Sequence, residues 1–213
     1  MSQKAHQLAQ ARYFHVYNKS ISGFQIFRAP ANASRFIQTL SYYRAPHTQM
    51  SFSQAIRTNT YQPTSALTHV NNSLHILAYC IMPTHYHLLV NVDGAQTLSQ
   101  FISVVENSYT RYLNRKTNRL GPLWQSRFKK RVIESNSELL HVTRYIHLNP
   151  TSAGLVDNPK DWIYSSYRDY TSMESEFQLP PEISIRKKPA YQRFCISNLT
   201  YQQHLQRIKK SLK

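Results

Sequence analysis

His85 and His87 stand one residue apart, directly after Pro83-Thr84 and at the start of an apolar run. Side chains alternate between the two faces of a β-strand, so a strand here would place both imidazoles on one face and Tyr86 on the other. Two neighbouring imidazoles can begin a metal site or a phosphate-handling site. The pair alone also fits two ordinary strand histidines; a third ligand, a nucleophile or a polyanionic substrate would decide between these functions.

A tyrosine and an asparagine within residues 144–150 could supply a nucleophile and an oxygen ligand. Tyr145 and Asn149 are four positions apart and would lie on the same face of a helix. Pro150 is expected to end that helix, which would leave Asn149 in the last turn with its amide free to reach outward. By position alone a helical tyrosine is more often a core residue, and Asn149 could merely end the helix.

Tyr109 and Tyr112 are alternative nucleophiles. The helix predicted around them places both on its apolar face, and the residues four positions further on are Leu113 and Lys116, neither of which is an oxygen ligand. Core packing suits these two tyrosines better than chemistry.

The chain is strongly basic: 26 Lys and Arg stand against 10 Asp and Glu, a formal net charge of +16 with a pI near 10.0. Such a protein usually meets a polyanion, and nucleic acid is the commonest one, with an anionic membrane surface as another candidate. A basic run follows Trp124 and consists of Arg127, Lys129, Lys130 and Arg131. It could contact a nucleic-acid backbone or form an ordinary solvated face.

The remaining composition favours a cytoplasmic protein. Cys80 and Cys195 are far apart and show no pairing pattern, which is typical of a reducing compartment. The first residues are polar without a hydrophobic signal region, and the apolar run at 74–82 is too short to span a bilayer. We therefore expect a cytoplasmic protein without membrane contact.

The elements that must position these residues follow from hydrophobic periodicity. Strands are predicted at 12–18, 74–82, 87–92 and 128–134, and helices at 35–43, 51–57, 97–113 and from an Asn136-Ser137 cap to Asn149. This order predicts an α+β fold with a ferredoxin-like βαββαβ antiparallel sheet, helices on one face and an extra helix carrying Tyr145. Residues 1–170 would form this domain, and residues 171–213 a linker and a basic C-terminal helix.

Five segments carry a resemblance to a known family: YFHVYN at 13–18, YCIMPTHYHLLV at 79–90, YTRYLN at 109–114, LWQSRF at 123–128 and RYIHLNPTSAGLV at 144–156. With these segments the chain resembles the single-tyrosine HUH transposases, in which two histidines flank one bulky hydrophobic residue, and among them the REP-associated tyrosine transposases. The resemblance extends over residues 12–170. It implies the same ferredoxin-like fold, with the histidines on a central strand and the tyrosine on a following helix.

The resemblance implies a metal-dependent endonuclease and strand transferase that acts on single-stranded or hairpin DNA, as a monomer or homodimer. Tyr145 would be the nucleophile and would form a 5′-phosphotyrosine with release of a 3′-hydroxyl. His85, His87 and the amide oxygen of Asn149 would hold a divalent ion, Mg²⁺ or Mn²⁺ by resemblance, although imidazole also suits Zn²⁺ or Ni²⁺. The basic run would contact the backbone of the DNA.

Two other functions stay open. The first is a protein that binds hairpin DNA and has lost cleavage, against which the presence of all four candidate site residues argues. The second is an RNA-binding protein that uses the same sheet. The sequence contains no RNP-like aromatic octamer, and RNA binding would leave the histidine pair without a role.

Overall fold

One four-stranded sheet organises the described part of the chain. The computed structural model describes residues 12–44, 50–62, 74–92, 95–175 and 177–211. The strands are β1 (Arg12–Lys19), β2 (Leu74–Met82), β3 (His85–Val92) and β4 (Lys129–Ile133), in the spatial order β2-β3-β1-β4. All three neighbouring pairs are antiparallel. The predicted ferredoxin-like sheet is confirmed.

Seven helices surround the sheet in the described residues: α1 (Pro30–Arg44), α2 (Phe52–Arg57), α3 (Ala95–Thr117), α4 (Asn136–Ser152), α5 (Tyr167–Thr171), α6 (Lys188–Ile196) and α7 (Leu199–Ser211). Single 3₁₀ turns occupy Ile21–Gly23 and Pro159–Asp161. Within these ranges no helix has the length and apolar character needed to cross a membrane.

Both faces of the sheet are covered, because its central strands carry apolar side chains on each face. On one face Tyr86 of β3 packs with Phe36 of α1 and Val105 of α3. On the other face Leu89 of β3 packs with Ile146 of α4. Full burial of each such side chain contributes about 1.5–3 kcal/mol. The predicted extra helix that carries Tyr145 is α4, and it lies on the face of the sheet opposite to α1 and α3.

Helix α3 forms because apolar residues recur at helical spacing, and it is longer at both ends than its periodicity predicted. Leu98, Ile102 and Val105 are buried against the sheet. Tyr109 is fully buried on the same side, where its hydroxyl donates to the carbonyl of Ile26 at 3.0 Å. Tyr109 is therefore a packing residue on the face of the sheet opposite to Tyr145.

Helix α4 differs from its predicted bounds at both ends. Its N-cap is Ser135, whose hydroxyl accepts from the amide of Glu138 at 3.1 Å, rather than the expected Asn136-Ser137 pair. At the other end the helix continues through Pro150 to Ser152, so the expectation that it ends at Asn149 is wrong. Proline removes one backbone donor but keeps a helical φ. That single loss is tolerated here because Pro150 is buried close to the helix end.

The residues beyond 171 contribute to the core on the α4 side of the sheet. Phe177 and Ile183 lie in the segment expected to be a linker, and both are buried together with Tyr191 and Cys195 of α6. Helix α7 occupies the position of the predicted C-terminal helix and packs along α4. The domain boundary at residue 170 stays a prediction. Residues before and after it share one hydrophobic cluster.

Candidate active site

The histidine pair begins strand β3, and both rings point to the α4 side of the sheet. His87 is buried and His85 partly buried, and their ring centroids are 5.1 Å apart. Tyr86 between them points into the opposite core, where its hydroxyl donates to Glu106 Oε1 at 2.7 Å. This buried hydrogen bond fixes β3 to α3 on that face of the sheet. The three side chains therefore alternate between the two faces as predicted.

Helix α4 packs across β2 and β3 and carries the Tyr145 ring to the histidines. The Tyr145 and His87 rings meet edge to face, with centroids 5.6 Å apart and planes at 81°. Tyr145 is half-buried, and burial raises its pKa, while the side chain of Asn149 opposes the rise. The phenol therefore keeps its proton at neutral pH unless another charge stabilises the phenolate.

Asn149 lies one turn after Tyr145 and is buried, not reaching outward as expected from Pro150. Its Nδ2 donates to the backbone carbonyl of Tyr145 at 3.0 Å. This contact uses the donor atom of the amide, so it does not engage the oxygen that was predicted to be a ligand. The amide is therefore held against its own helix, one turn from Tyr145.

Two further aromatic side chains enter the site from β1, and sequence reasoning gave neither of them a role. His15 Nε2 lies 2.9 Å from His87 Nδ1, and the His15 ring centroid is 5.9 Å from that of Tyr145. Tyr17 pairs with His87 in the β1–β3 register, with ring centroids 5.8 Å apart. Both lie in the motif at 13–18 and alternate onto one strand face, but only the register shows that this face meets the histidine pair.

Burial keeps the three histidines neutral. It lowers the pKa of His15 to about 4, with a smaller contribution from Arg131, and lowers the pKa of His85 to about 4, with a smaller contribution from Lys19. Burial also holds the pKa of His87 well below its ordinary value, and the neighbouring His85 and His15 rings add to the effect. Neutral imidazoles offer a lone pair, which is the form that binds a metal ion.

The two rings predicted to hold a metal ion fit that role in their hydrogen bonding. His87 Nδ1 is paired with His15, and His85 Nδ1 lies 3.0 Å from Thr84 Oγ1. A histidine that ligates a metal typically uses one ring nitrogen while the other is held by such a bond. Among the described residues no cluster of three or more His, Cys, Asp or Glu side chains is arranged to hold a metal ion. A metal here would therefore depend on two imidazoles and the Asn149 amide.

Three residues of the basic run lie on the edge strand β4 and Arg127 lies just before it, and all four side chains are exposed. Alternation along β4 divides them. Lys129 and Arg131 pair with Tyr17 and His15 and lie on the Tyr145 face, where Arg131 also forms an ion pair with Glu138. Lys130 lies on the other face, with its Nζ 5.4 Å from the centroid of the Phe14 ring. The run is thus two patches that meet at the sheet edge.

Comparison with known sequences agrees with the resemblance read from the motifs. The family model of IS200-like transposases matches residues 40–149. A Haemophilus influenzae protein described as a REP-associated tyrosine transposase is 33% identical over 101 residues, which cover 43% of this chain and 57% of that protein. The REP-associated tyrosine transposase of Escherichia coli is 26% identical over 93 residues, 43% of this chain and 53% of that protein. The match thus spans a little over half the length of each relative.

The fold also has a solved counterpart. The structure of a REP-associated tyrosine transposase bound to a REP hairpin matches with a TM-score of 0.53 at 17% identity, covering 84% of this chain and 87% of that one. At this identity the match establishes a shared fold. It includes most of the chain beyond the span of the family model.

Proposed function

The chain belongs to the IS200-like transposase family, and we propose that it is an endonuclease and strand transferase that cleaves single-stranded DNA beside a hairpin through Tyr145. The observation that carries the proposal is the packing of Tyr145 against His87 and His15, which brings a phenol from α4 to two neutral imidazoles of the sheet. The hairpin is proposed because the structural counterpart is described as bound to a REP hairpin.

The proposed reaction exchanges one phosphate ester for another. The Tyr145 oxygen attacks the scissile phosphorus and forms a 5′-phosphotyrosine, while the bond from phosphorus to the 3′-oxygen breaks. Because burial raises the pKa of Tyr145, the phenol enters the reaction protonated, and its proton is transferred overall to the departing 3′-oxygen. A 3′-hydroxyl can later attack the phosphotyrosine, which reverses the step and transfers the strand without another energy source.

His85, His87 and Asn149 would hold a divalent ion, Mg²⁺ or Mn²⁺, beside the phenol. Such an ion supplies Lewis-acid polarisation of a phosphate. The chain's own contribution is orientation: His15 holds the ring of His87, Thr84 holds that of His85, and the α4 backbone holds Asn149. Fixed side chains of this kind lower the cost of arranging a site around its substrate.

Lys129 and Arg131 would contact the DNA backbone on the Tyr145 face, because both are exposed and lie beside Tyr17 and His15. Lys130 and Arg127 would extend this contact at the sheet edge. Phosphate contacts position the DNA without reading its sequence. Their contribution should therefore appear as salt-dependent affinity for any strand that binds to this face of the sheet.

A second candidate function is binding of hairpin DNA without cleavage. The raised pKa of Tyr145 favours it, because a protonated phenol is a weak nucleophile. Covalent adduct formation separates the two functions, because only the transferase attaches itself to DNA.

The test incubates the full chain with labelled hairpin DNA carrying a single-stranded flank, in Mg²⁺ or Mn²⁺, and maps any covalent adduct by mass spectrometry. Tyr145→Phe should abolish the adduct and leave hairpin affinity within a few-fold. Tyr17→Phe is the matched control, because Tyr17 is the other phenol beside His87 and should not be needed for the adduct. An adduct that survives Tyr145→Phe but not Tyr17→Phe would reverse the assignment.

Two other outcomes are informative. Hairpin binding by the unchanged chain without any adduct would favour the non-cleaving function. Full cleavage in the presence of a chelator would remove the metal from the proposal and leave the tyrosine in place.

A further inference from the structure

A second basic feature lies on the far side of the sheet from Tyr145. It is a cleft of about 460 Å³ between α2 and α3, lined by Arg111, Arg115 and Lys116 of α3 and by the hydroxyls of Ser51, Ser53 and Ser108. Helix α3 packs its apolar face on the core opposite to α4, so the cleft opens on the outer surface of that layer. None of these residues belongs to the candidate active site.

Among the described residues no carboxylate lines the cleft. The sequence has no Asp or Glu before Asp93 and none from residue 107 to residue 133, so α1, α2 and the second half of α3 carry no acidic side chain. Glu106 is the acidic residue of α3, and it is buried on the inner side with Asn18 and Tyr86. In the described part of the chain neither Arg111 nor Arg115 forms an ion pair. Their charges are therefore available to a ligand.

Arg35 of α1 holds two residues of the cleft wall, Ser53 and Tyr112, in place before any ligand binds. Its guanidinium lies between the rings of Phe52 and Tyr112, 4.0 Å and 4.8 Å from their centroids, and donates to Ser53 Oγ at 2.9 Å. Arg35 Nε is buried and has no acceptor among the described residues. Lys116 Nζ is likewise held, 2.8 Å from Asn32 Oδ1. Fixed cations bind with less loss of side-chain freedom than mobile ones.

The chemistry of the lining favours phosphate over a nucleobase. The Tyr112 ring is already in contact with Arg35, so the cleft offers cations and hydroxyls more than an open aromatic face. Arg111 and Arg115 are four residues apart, about 6 Å along the helix axis at 1.5 Å per residue. This separation is similar to that of successive phosphates along a nucleic-acid strand. Guanidinium groups bind phosphate oxygens through paired hydrogen bonds.

Exposed positive charge also occurs on both faces of the sheet at its β4 edge. The edge strand β4 exposes Lys129 and Arg131 on the Tyr145 face and Lys130 on the α3 face. A nucleic acid held at Tyr145 can therefore pass around this edge over a basic surface.

We propose that the cleft between α2 and α3 binds backbone phosphates of the DNA substrate at a distance from the phosphodiester that Tyr145 cleaves. The proposal rests on DNA being the substrate, as argued above. Since the cleft and Tyr145 are on opposite sides of the sheet, the cleft takes the stem side of a hairpin substrate while the single-stranded flank occupies the Tyr145 site.

The experiment measures how the affinity of the full chain for DNA depends on salt. One labelled probe is a hairpin with a single-stranded flank, and the other is the flank alone; fluorescence anisotropy gives their affinities across a NaCl series. The test variant is Arg111→Ala with Arg115→Ala. The matched control is Lys187→Ala with Arg193→Ala, which removes two exposed positive charges at α6.

The cleft variant should bind the hairpin more weakly, and the slope of log affinity against log salt should fall by about 2, since each phosphate contact contributes roughly 0.9 to that slope. Its slope for the flank alone, and its yield of covalent adduct with the flank, should equal those of the unchanged chain. The control variant should keep the original slope for both probes.

Each other outcome overturns the inference in a recognisable way. An unchanged chain that binds neither probe overturns both the proposed function and the cleft. Normal binding and adduct formation with an unchanged slope in the cleft variant overturns the cleft alone. Equal losses in both variants would show a general effect of net charge. Calorimetric binding of inorganic tripolyphosphate that depends on Arg111 and Arg115, with no change for the hairpin, would assign the cleft to a small phosphate ligand.

Discussion

We expect acid to destabilise the folded chain through His147, which lies on α4 two residues after Tyr145. Its ring is fully buried, with Nδ1 2.7 Å from Tyr191 Oη and Nε2 2.8 Å from Ser166 Oγ. Burial lowers the pKa of His147 to about 3. The folded chain therefore keeps this imidazole neutral at a pH where an exposed histidine is already charged.

The size of the effect follows from a proton that only the unfolded chain binds. Unfolded, the ring titrates near 6.5, so between pH 6.5 and about 3 the unfolded state carries one more proton than the folded state. Each pH unit in this window lowers the free energy of unfolding by about 1.4 kcal/mol. From pH 7.5 to pH 4.5 His147 alone accounts for a loss of about 2.7 kcal/mol, and its full contribution is present only above the unfolded pKa.

The assay compares urea unfolding of the unchanged chain and His147→Gln at pH values from 7.5 down to 4.5, followed by tryptophan fluorescence. At pH 7.5 the variant should be less stable by about 2 kcal/mol, because two buried hydrogen bonds are disturbed. Between pH 7.5 and pH 4.5 this difference should move by about 2.7 kcal/mol in favour of the variant, so that the variant becomes slightly more stable than the unchanged chain at pH 4.5. The buried histidines of the candidate site titrate in both proteins and cancel from this difference.

His141→Gln is the control, because His141 lies on the same helix with its ring exposed. This change should leave the pH dependence of stability as it is in the unchanged chain. A stability difference between the unchanged chain and His147→Gln that stays constant from pH 7.5 to pH 4.5 would refute the reasoning, since it would mean that folding does not alter proton uptake by His147.

Two further predictions concern the support of the candidate site. Tyr86→Phe should lower the free energy of unfolding by about 1.5–3 kcal/mol in urea titrations, because buried Glu106 loses a hydroxyl donor and keeps the donor from Asn18. Unchanged stability would show that this bond contributes little. His15→Phe should weaken Mn²⁺ binding roughly 10- to 100-fold in calorimetry, because His87 loses the partner that orients its ring. Tyr17→Phe provides the control for that measurement, and equal Mn²⁺ affinity in the His15 variant would contradict the role of this contact.

Several features of the site could be predicted because they depend on local geometry. The alternation of a strand is enough to place His85 and His87 on one face and Tyr86 on the other. The period of a helix is enough to stack Tyr145 and Asn149 and to bury Tyr109. The order of strands and helices was sufficient to predict the ferredoxin-like sheet, because few topologies connect elements in that order without crossing connections.

Other features could not be predicted because they depend on pairs of residues far apart in sequence. His15 meets His87 only through the β1–β3 register, across 72 positions. Lys129 and Arg131 lie beside Tyr17 and His15 only through the β1–β4 register. Pro150 stays inside α4 because the surrounding core buries it, which outweighs the one backbone hydrogen bond that proline removes.

By itself the sequence determined which side chains could do chemistry, their local placement on strand or helix, and the positive charge that calls for a polyanion. Periodicity depends on neighbouring residues and composition on the residue types present, so both can be obtained from a single sequence. Only the tertiary structure decided that Tyr145 faces the histidine pair, that His15 completes it, and that Arg111 and Arg115 form a separate cleft across the sheet. Those relations arise when strands pair and helices pack, because the free energy of burying both faces of one sheet selects the arrangement.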